Sequence, residues 1–217
     1  MPLTSYEINE DDLQLGIWQI SEPESYFLEA MGLSIEENLE LNRMQGQRRL
    51  HWLASRIIFK SFDVGDDRYK IIKDNYGKPY LINTIGHISI SHSHDHAAAI
   101  FSKSRPVGID IQKMVDKIER IAPKFMSEHE MNELDSANKL EALHIYWSAK
   151  ESLYKAYGRK KVDFRNHIRI NSFEFVKEGS TISGYLNKPD YAARYNIHYK
   201  KYKDYILVHA FELDENP

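Results

Sequence analysis

The sequence predicts an α+β fold made of two similar halves related by a pseudo-twofold. A helical pattern followed by short strand-like segments occurs twice along the chain. The 217 residues are enough for two units of about 100 residues each. No Gly/Ser-rich linker separates the halves, so we expect them to pack together. We place the boundary so that residues 1–104 form an N-terminal α+β half and residues 105–217 a C-terminal one.

The first half is predicted to begin with a long helix and to continue as short strands. Apolar residues recur at helical spacing within about residues 34–62, which predicts one helix there. Residues 63–67 break the pattern. The strand-like segments that follow are "YKIIK", "PYLI", "HISIS", "AAAIF" and "VGIDI", and "NYGKP" is typical of a turn between the first two.

The second half is predicted to repeat this order after a polar, irregular stretch, "KMVDKIERIAPKFM". Ser127 and Glu130 have the spacing of a capping box, and Asn138 with Glu141 is a weaker version of it. The second of these opens a helix that we expect to end at about Tyr157, with Gly158 as its left-handed stop. Four strand-like segments close the chain: "IRINSFEFV", "TISGYLN", "NIHYKKY" and "YILVHAFEL".

Composition excludes several classes of site. The chain has no cysteine, which excludes disulfides, thiolate metal sites and cysteine nucleophiles. A formal net charge of -3 gives no global basic excess that would indicate nucleic acid as a partner. The start of the chain lacks the pattern of a signal peptide, and no apolar run is long enough for a membrane helix. We therefore expect a soluble, cytoplasmic protein with no membrane partner.

The segment "VGIDIQK" places a carboxylate on a predicted strand. Alternation puts Asp110 and Gln112 on one face, with Ile109 and Ile111 on the other. A carboxylate between buried isoleucines is held rigidly, which suits a ligand of Mg²⁺. The alternative interpretation is a solvated strand face.

The segment "YWSAKESLYKAYG" concentrates charge among aromatic residues on the later helix. Trp147, Glu151 and Lys155 share one stripe at i, i+4 and i+8, and Lys150 and Tyr154 form the neighbouring stripe. One interpretation is that these residues line a functional site. The other is an intrahelical Glu–Lys pair beside a core tryptophan.

Histidines alternate with serines in "ISISHSHDH". His92, His94 and His96 would face one side of a straight strand, about 6 to 7 Å apart, which is too far for easy zinc binding. A histidine beside serines, such as His92 beside Ser91, can instead hold a phosphate. A polar edge strand is the third interpretation.

Cations supply a further possible phosphate site, on Lys78 of the "YGKPY" turn and on Arg49 and Arg56 of the long helix. The sequence contains neither GxxxxGK[ST] nor GxGxxG, so it does not support a P-loop or Rossmann nucleotide site.

Taken in order, "GKPYL", "ISISHS", "VGIDIQ" and "WSAKESLYKAYG" resemble the motifs of the 4'-phosphopantetheinyl transferases. The match is closer to the surfactin-synthetase-activating type, whose single chain contains two similar halves, and "RRLHWLASR" extends it. The resemblance implies an active site in the cleft between the halves. It also implies transfer of the phosphopantetheine arm of coenzyme A to a serine of an apo acyl or peptidyl carrier protein. The other product would be adenosine 3',5'-bisphosphate.

The resemblance also assigns roles to residues of this chain. Asp110 and Glu151 would bind Mg²⁺, or Mn²⁺ in its place, on the coenzyme A pyrophosphate. Gln112 stands where relatives often have Glu and would be the third metal ligand through its uncharged amide oxygen, directly or through water. Lys155 would contact the pyrophosphate. The other coenzyme A contacts that it implies are Arg49, Arg56, Lys78, Ser91, His92 and Lys150. The base for the carrier serine stays open between Glu151 and a metal-bound water.

The carrier must also dock. The segment from Lys113 to Lys124 mixes cations with apolar residues, which suits an acidic partner, although a solvated connection explains it equally well. A chain holding both halves needs no oligomer to build the cleft, so we expect a monomer.

Two alternative functions compete with the transferase. One is a catalytically silent domain that binds coenzyme A or another nucleotide, and the other is a metal-dependent phosphohydrolase.

Overall fold

A computed structural model describes residues 3–8, 13–65, 69–134 and 136–213. Its strands are β1 Leu3–Ile8, β2 Leu13–Gln19, β3 Lys70–Lys73, β4 Pro79–Ile82, β5 His87–Ser93, β6 His96–Ser102, β7 Val107–Lys113, β8 Ile168–Ile170, β9 Ser180–Lys188, β10 Tyr191–Tyr202 and β11 Tyr205–Glu212. Its helices are α1 Glu24–Met31, α2 Ile35–Asn42, α3 Gln47–Lys60, α4 Lys117–Phe125, α5 Glu128–Asn132 and α6 Lys139–Tyr157. The prediction of an α+β fold is confirmed.

The first sheet has the strand order β1-β2-β6-β5 and is antiparallel throughout. Alternation along β6 divides its side chains between two cores. Ala97, Ala99 and Phe101 face the layer of α1 and α3, while Ala98 and Ile100 face the second sheet. Helix α3 therefore covers one face of the first sheet and leaves the other face for contact with the second.

The second sheet has the order β7-β11-β10-β9-β8 and is also antiparallel. Helix α6 lies on one face, where it packs on alternate residues of β11: Ile206, Val208 and Ala210. The intervening residues, among them Leu207 and Phe211, pack against the first sheet. Each helix-covered sheet thus contributes its opposite face to a shared apolar layer.

Serines join the neighbouring edge strands β5 and β7. Three serine hydroxyls at alternate positions of β5 each accept a hydrogen bond from a backbone N–H of β7, at 3.1 to 3.2 Å. The pairs are Ser89 with Ile109, Ser91 with Ile111, and Ser93 with Lys113. The edge N–H groups of β7 are thereby satisfied by side chains of the first sheet.

Gly108 lets α6 approach β7 closely. A Cβ at this position would lie 1.8 Å from the backbone oxygen of Ser152, so only glycine fits without moving the helix. This contact brings the β7 residues that follow Gly108 beside the middle of α6.

Several predicted features are confirmed. The five segments from "YKIIK" to "VGIDI" are strands, and β3 and β4 form a hairpin. Ser127 and Glu130 form the predicted capping box, and Gly158 ends α6 with a φ of 71°. The face assignment on β7 is also confirmed, because Ile109 and Ile111 lie in the layer between the sheets.

Other predictions are wrong at the level of single elements. Residues 34–62 form two helices, because the chain turns at Gly46 with a φ of 57°, and Ser34 caps the first of them. Helix α4 lies in the stretch predicted as irregular. Pro123, which is unfavourable inside a helix, made the apolar pattern of this helix hard to recognise in the sequence. The "IRINSFEFV" strand ends at Ile170, and Asn138 makes no side-chain cap to α6.

None of the helices in the described ranges is both long and apolar enough to cross a membrane.

Candidate active site

Asp110 is the centre of a buried polar cluster where β7, β5 and α6 meet. Its side chain is 8% exposed. Its Oδ1 accepts hydrogen bonds from Ser91 Oγ at 2.9 Å and from Lys155 Nζ at 2.7 Å. Its Oδ2 is buried and has no hydrogen-bond partner among the described residues. A buried carboxylate oxygen without a donor is costly unless a ligand satisfies it.

Lys155 reaches the cluster from α6. Besides Asp110, its ammonium donates to the Ile109 carbonyl at 2.9 Å and to Ser91 Oγ at 3.0 Å. Its side chain remains 25% exposed. Lys155 is therefore held rigidly but keeps access to a ligand on the open side.

Glu151 lies one helical turn before Lys155 and is half-buried. Burial, and then the negative charge of Asp110, raise the pKa of the Glu151 carboxyl to about 7, while Lys155 opposes the shift. The two carboxylates are thus close enough to repel each other. Such a pair is stabilised by a cation placed between them.

The donor set fits a hard divalent cation that also binds substrate phosphates. Asp110 and Glu151 supply two carboxylates here, and no group of three His, Asp or Glu side chains converges within the described ranges. Mg²⁺ typically uses one or two carboxylates and fills its other positions with water and phosphate oxygens. Gln112, two residues beyond Asp110 on β7, is half-buried and could add an amide oxygen.

A basic cavity of about 490 Å³ lies beside this cluster, between α3, the β3–β4 hairpin and β5. The cationic side chains that line it are Arg48, Arg56 and Lys73, and the imidazoles of His51 and His92 line it as well. Glu40 is the acidic residue among the described lining residues. This excess of positive charge suits an anionic ligand.

Two histidines stack at the wall of the cavity. The rings of His51 and His92 are 4.3 Å apart and nearly parallel, and His51 Nε2 lies 2.6 Å from the His94 carbonyl oxygen. Desolvation, and then the charges of His51 and Lys155, lower the pKa of His92. The cavity and the Asp110 cluster adjoin, because His92 of the cavity follows Ser91 of the cluster on β5.

Arg56 lies against the indole of Trp52, with its guanidinium carbon 3.4 Å from the ring centroid. Its Nη2 is 3.4 Å from Glu40. Burial lowers the pKa of Arg56 to about 10, while the charge of Glu40 opposes the shift, so the guanidinium is poorly solvated.

Two of the predicted coenzyme A contacts, Arg49 and Lys78, are engaged with other groups of the protein. Arg49 forms a bidentate pair with Glu24 and donates to the Leu41 carbonyl, on another side of α3. Lys78 donates a short hydrogen bond to the Ala156 carbonyl at the end of α6. Their charges serve an ion pair and a helix terminus in this structure.

The prediction that Lys150 contacts coenzyme A is corrected most clearly by the structure. Its side chain and that of Glu130 are both 0% exposed and form an ion pair of 2.8 Å. Its ammonium also donates to the carbonyls of Phe125, Phe164 and Ile168. With four protein acceptors around it, Lys150 is not a coenzyme A contact.

The three alternating histidines do not share one face, because the chain turns between β5 and β6. His94 has a φ of 50°, and His96 begins the next strand with its Nδ1 bonded to Asp95. A zinc site on one straight strand is therefore ruled out by the geometry of the hairpin.

Sequence reasoning missed Arg48 and His51. The signal was present, because Arg48, Trp52 and Arg56 recur at i, i+4 and i+8 on α3. Arg49 was selected in place of Arg48, although it lies about 100° around the helix from this stripe.

Comparison with known proteins agrees with this site. A family model described as the 4'-phosphopantetheinyl transferase superfamily matches residues 106–210, which include Asp110, Glu151 and Lys155. The chain is 31% identical over 124 residues to the 4'-phosphopantetheinyl transferase gsp of Aneurinibacillus migulanus, covering 56% of this chain and 49% of that protein. It is 31% identical over 111 residues to the 4'-phosphopantetheinyl transferase Sfp of Bacillus subtilis (strain 168), covering 49% of each.

A carboxylate pair beside a basic cavity suits a phosphorylated ligand. Residues 106–210 of the chain are similar to the 4'-phosphopantetheinyl transferase superfamily, and the chain is similar to Sfp-type relatives within it. It spans about half the length of the curated relatives it matches.

Proposed function

We propose that the protein transfers the 4'-phosphopantetheine arm of coenzyme A to a serine hydroxyl of an apo acyl or peptidyl carrier protein. Adenosine 3',5'-bisphosphate is the second product, and the reaction requires Mg²⁺ or Mn²⁺. The observation that carries the proposal is the cluster of Asp110, Glu151 and Lys155 beside a basic cavity. The names of the relatives support the same reaction.

The active site lies in a cleft between two similar halves, residues 1–104 and 105–217, related by a pseudo-twofold. In support, β6 ends the first sheet at Ser102 and β7 begins the second at Val107. Each sheet carries one main helix on its outer face, α3 or α6. The cluster includes groups from both, since Ser91 belongs to the first sheet and Asp110 to the second.

Coenzyme A lies with its nucleotide end in the basic cavity. Arg48, Arg56 and His92 bind phosphate oxygens there, and Lys155 binds the pyrophosphate at the junction with the cluster. Ser91 has a different role from the coenzyme A contact that its motif implies. Its hydroxyl is engaged with Asp110, Lys155 and the Ile111 N–H, so it orients the cluster.

Asp110 and Glu151 hold the divalent cation, and Gln112 completes the protein ligands. When bound, the cation neutralises charge on the pyrophosphate during phosphoryl transfer. Asp110 Oδ2 supports this assignment because it is a buried acceptor without a protein donor in the described chain. Lys155 keeps Asp110 Oδ1 fixed, so that Oδ2 presents itself to the ligand.

The proton of the carrier serine goes to a base that is either Glu151 or a water. A pKa of about 7 makes Glu151 an effective acceptor at neutral pH. The same shift shows that its anion needs a nearby cation, and binding that cation competes with accepting a proton.

The carrier docks against α4, whose exposed cations are Lys117, Arg120 and Lys124. Val115 is 41% exposed and adds an apolar contact. Ile118, one of the apolar residues of the segment from Lys113 to Lys124, is 4% exposed and belongs to the core, so it is not a docking residue. The protein acts as a cytoplasmic monomer, since one chain supplies the whole cluster and cavity.

A second candidate function is a catalytically silent coenzyme A-binding domain. It is favoured by Gln112, which brings no charge to a site where a third carboxylate would strengthen metal binding.

Intact-protein mass spectrometry separates the two functions. Apo carriers are mixed with the protein, coenzyme A and Mg²⁺. Addition of one phosphopantetheine arm to a carrier, abolished by EDTA and by Asp110→Ala, is the result expected of the transferase. Coenzyme A binding with no mass gain on any of a broad set of carriers would instead identify the silent domain.

A further inference from the structure

A basic loop follows α6, and the proposed function does not use it. Residues 159–165 read "RKKVDFR", with four cations and one acid. Arg159, Lys160, Lys161 and Arg165 are all exposed. The carboxylate of Asp163 accepts hydrogen bonds within the loop and just after it, from the backbone N–H groups of Arg165 and Asn166.

The loop is anchored beside Glu151. The Phe164 ring packs 5.8 Å from the ring of Trp147 and 5.6 Å from that of Tyr154. Those two aromatic residues lie one turn before and one turn after Glu151 on the same face of α6. The loop therefore borders the catalytic stripe of the helix.

The same anchoring joins the loop to α4. The Lys150 ammonium bridges the Phe125 carbonyl at the end of α4 and the Phe164 carbonyl of the loop. Trp147 also contacts Phe125, at 5.0 Å between ring centroids. Loop and helix thus lie on either side of Trp147, and both are fixed to α6 by buried contacts.

Both elements carry a net positive charge. Lys117, Arg120 and Lys124 are exposed on α4, and the nearby acid Glu119 is paired with Lys139 at 2.7 Å. On the loop side, Glu128 pairs with Arg165. Within the part of the chain that the structure describes, net positive charge therefore lies on either side of Trp147, one turn before Glu151 on α6.

We propose that residues 159–165 form a second docking element, which together with α4 binds an acidic protein surface. The inference rests on the proposed function, in which that surface belongs to the carrier protein and its serine must reach the cluster at Glu151. Lys160 and Lys161 are the specificity-determining cations of the loop. Their fields steer an acidic partner and disfavour a neutral or basic one.

The test is a charge reversal at a distance from the chemistry. The double variant Lys160→Glu/Lys161→Glu is compared with Lys70→Glu/Lys177→Glu, which makes the same charge change at exposed lysines of other elements. At low salt the loop variant is expected to raise KM for the carrier by about tenfold, and salt is expected to shrink that difference. KM for coenzyme A stays at the wild-type value.

Two results would overturn the proposal. One is an unchanged KM for the carrier in the loop variant. The other is an equal rise in the control variant, which would show only an effect of net charge. In both cases the wild-type protein still transfers the arm. If the proposed function itself is wrong, the wild-type protein modifies no carrier, so the two failures are distinguishable.

Discussion

The Lys155 ammonium lies 2.7 Å from Asp110 Oδ1, so a lysine of α6 and a carboxylate of β7 form one partly buried ion pair. Their separation in sequence is 45 residues. The pair neutralises one oxygen of Asp110 and leaves Oδ2 as an acceptor. The helix therefore carries charge among aromatic residues because one of its faces completes a site on the neighbouring sheet.

Removing the lysine should harm catalysis more than folding. Lys155→Met leaves Asp110 without its cation, but Ser91 still donates to the carboxylate. We expect kcat/KM for transfer to fall by about 100-fold or more, because the charge on the pyrophosphate loses a fixed donor. Steady-state kinetics with coenzyme A and a carrier measure the loss. Lys177→Met, at an exposed position, is the control. Wild-type kinetics in Lys155→Met would contradict the assignment.

Glu151 should make stability depend on pH. Its folded pKa of about 7 is raised above the ordinary value of 4.5, so its favourable contribution is present below pH 4.5 and is lost as pH rises through 7. Glu151→Gln removes that loss. In EDTA, the variant should exceed the wild type at pH 8 by roughly 1 to 2 kcal/mol in free energy of unfolding, allowing for solvent screening, and by much less at pH 5. Urea unfolding at both values measures this. An equal difference in unfolding free energy at the two pH values would show that the folded protein does not raise the pKa of Glu151.

The serines of β5 offer a matched pair of substitutions. Ser89 and Ser91 each accept a backbone N–H of β7, and Ser91 alone of these two also contacts Asp110 and Lys155. Each change to Ala leaves a buried N–H without its acceptor and should cost about 1 to 3 kcal/mol of unfolding free energy. We expect Ser91→Ala to lower kcat in addition, whereas Ser89→Ala keeps it. Equal activities in two equally destabilised variants would mean that Ser91 does not orient the cluster.

Much of this site could be predicted from the sequence, and the limits have physical reasons. Asp110 was predictable because strand alternation fixes which face a residue occupies, whatever lies beyond it. Lys150 was misassigned because periodicity gives its face on α6 but not its partner Glu130, which comes from another helix. For Lys78, likewise, the sequence predicts its place in the hairpin turn but not its acceptor, which belongs to the end of α6. Patterns within one element predict orientation, while contacts between elements decide what a charge is used for.

Lys150 should be required for stability. Lys150→Met leaves the Glu130 carboxylate buried at 0% exposure without its cation and frees three carbonyls. We expect a loss of about 3 to 5 kcal/mol in unfolding free energy, measured with urea, against less than about 0.5 for the exposed control Lys177→Met. A variant of normal stability with a raised KM for coenzyme A would instead make Lys150 a substrate contact.

Arg48 and Arg49 are adjacent in sequence but should respond differently to substitution. Arg48 lines the basic cavity, whereas Arg49 is paired with Glu24 at 2.6 Å. Arg48→Ala removes a cation from the phosphate site, so we expect a rise of about tenfold in the Kd for coenzyme A with little change in melting temperature. Arg49→Ala breaks a partly exposed ion pair and a helix-end contact, so its Kd should stay constant while stability falls by about 1 kcal/mol. Isothermal titration calorimetry and thermal unfolding of both variants measure the contrast. If Arg49→Ala weakened coenzyme A binding as much as Arg48→Ala, the ligand would have to contact a different side of α3 from the one that faces the cavity.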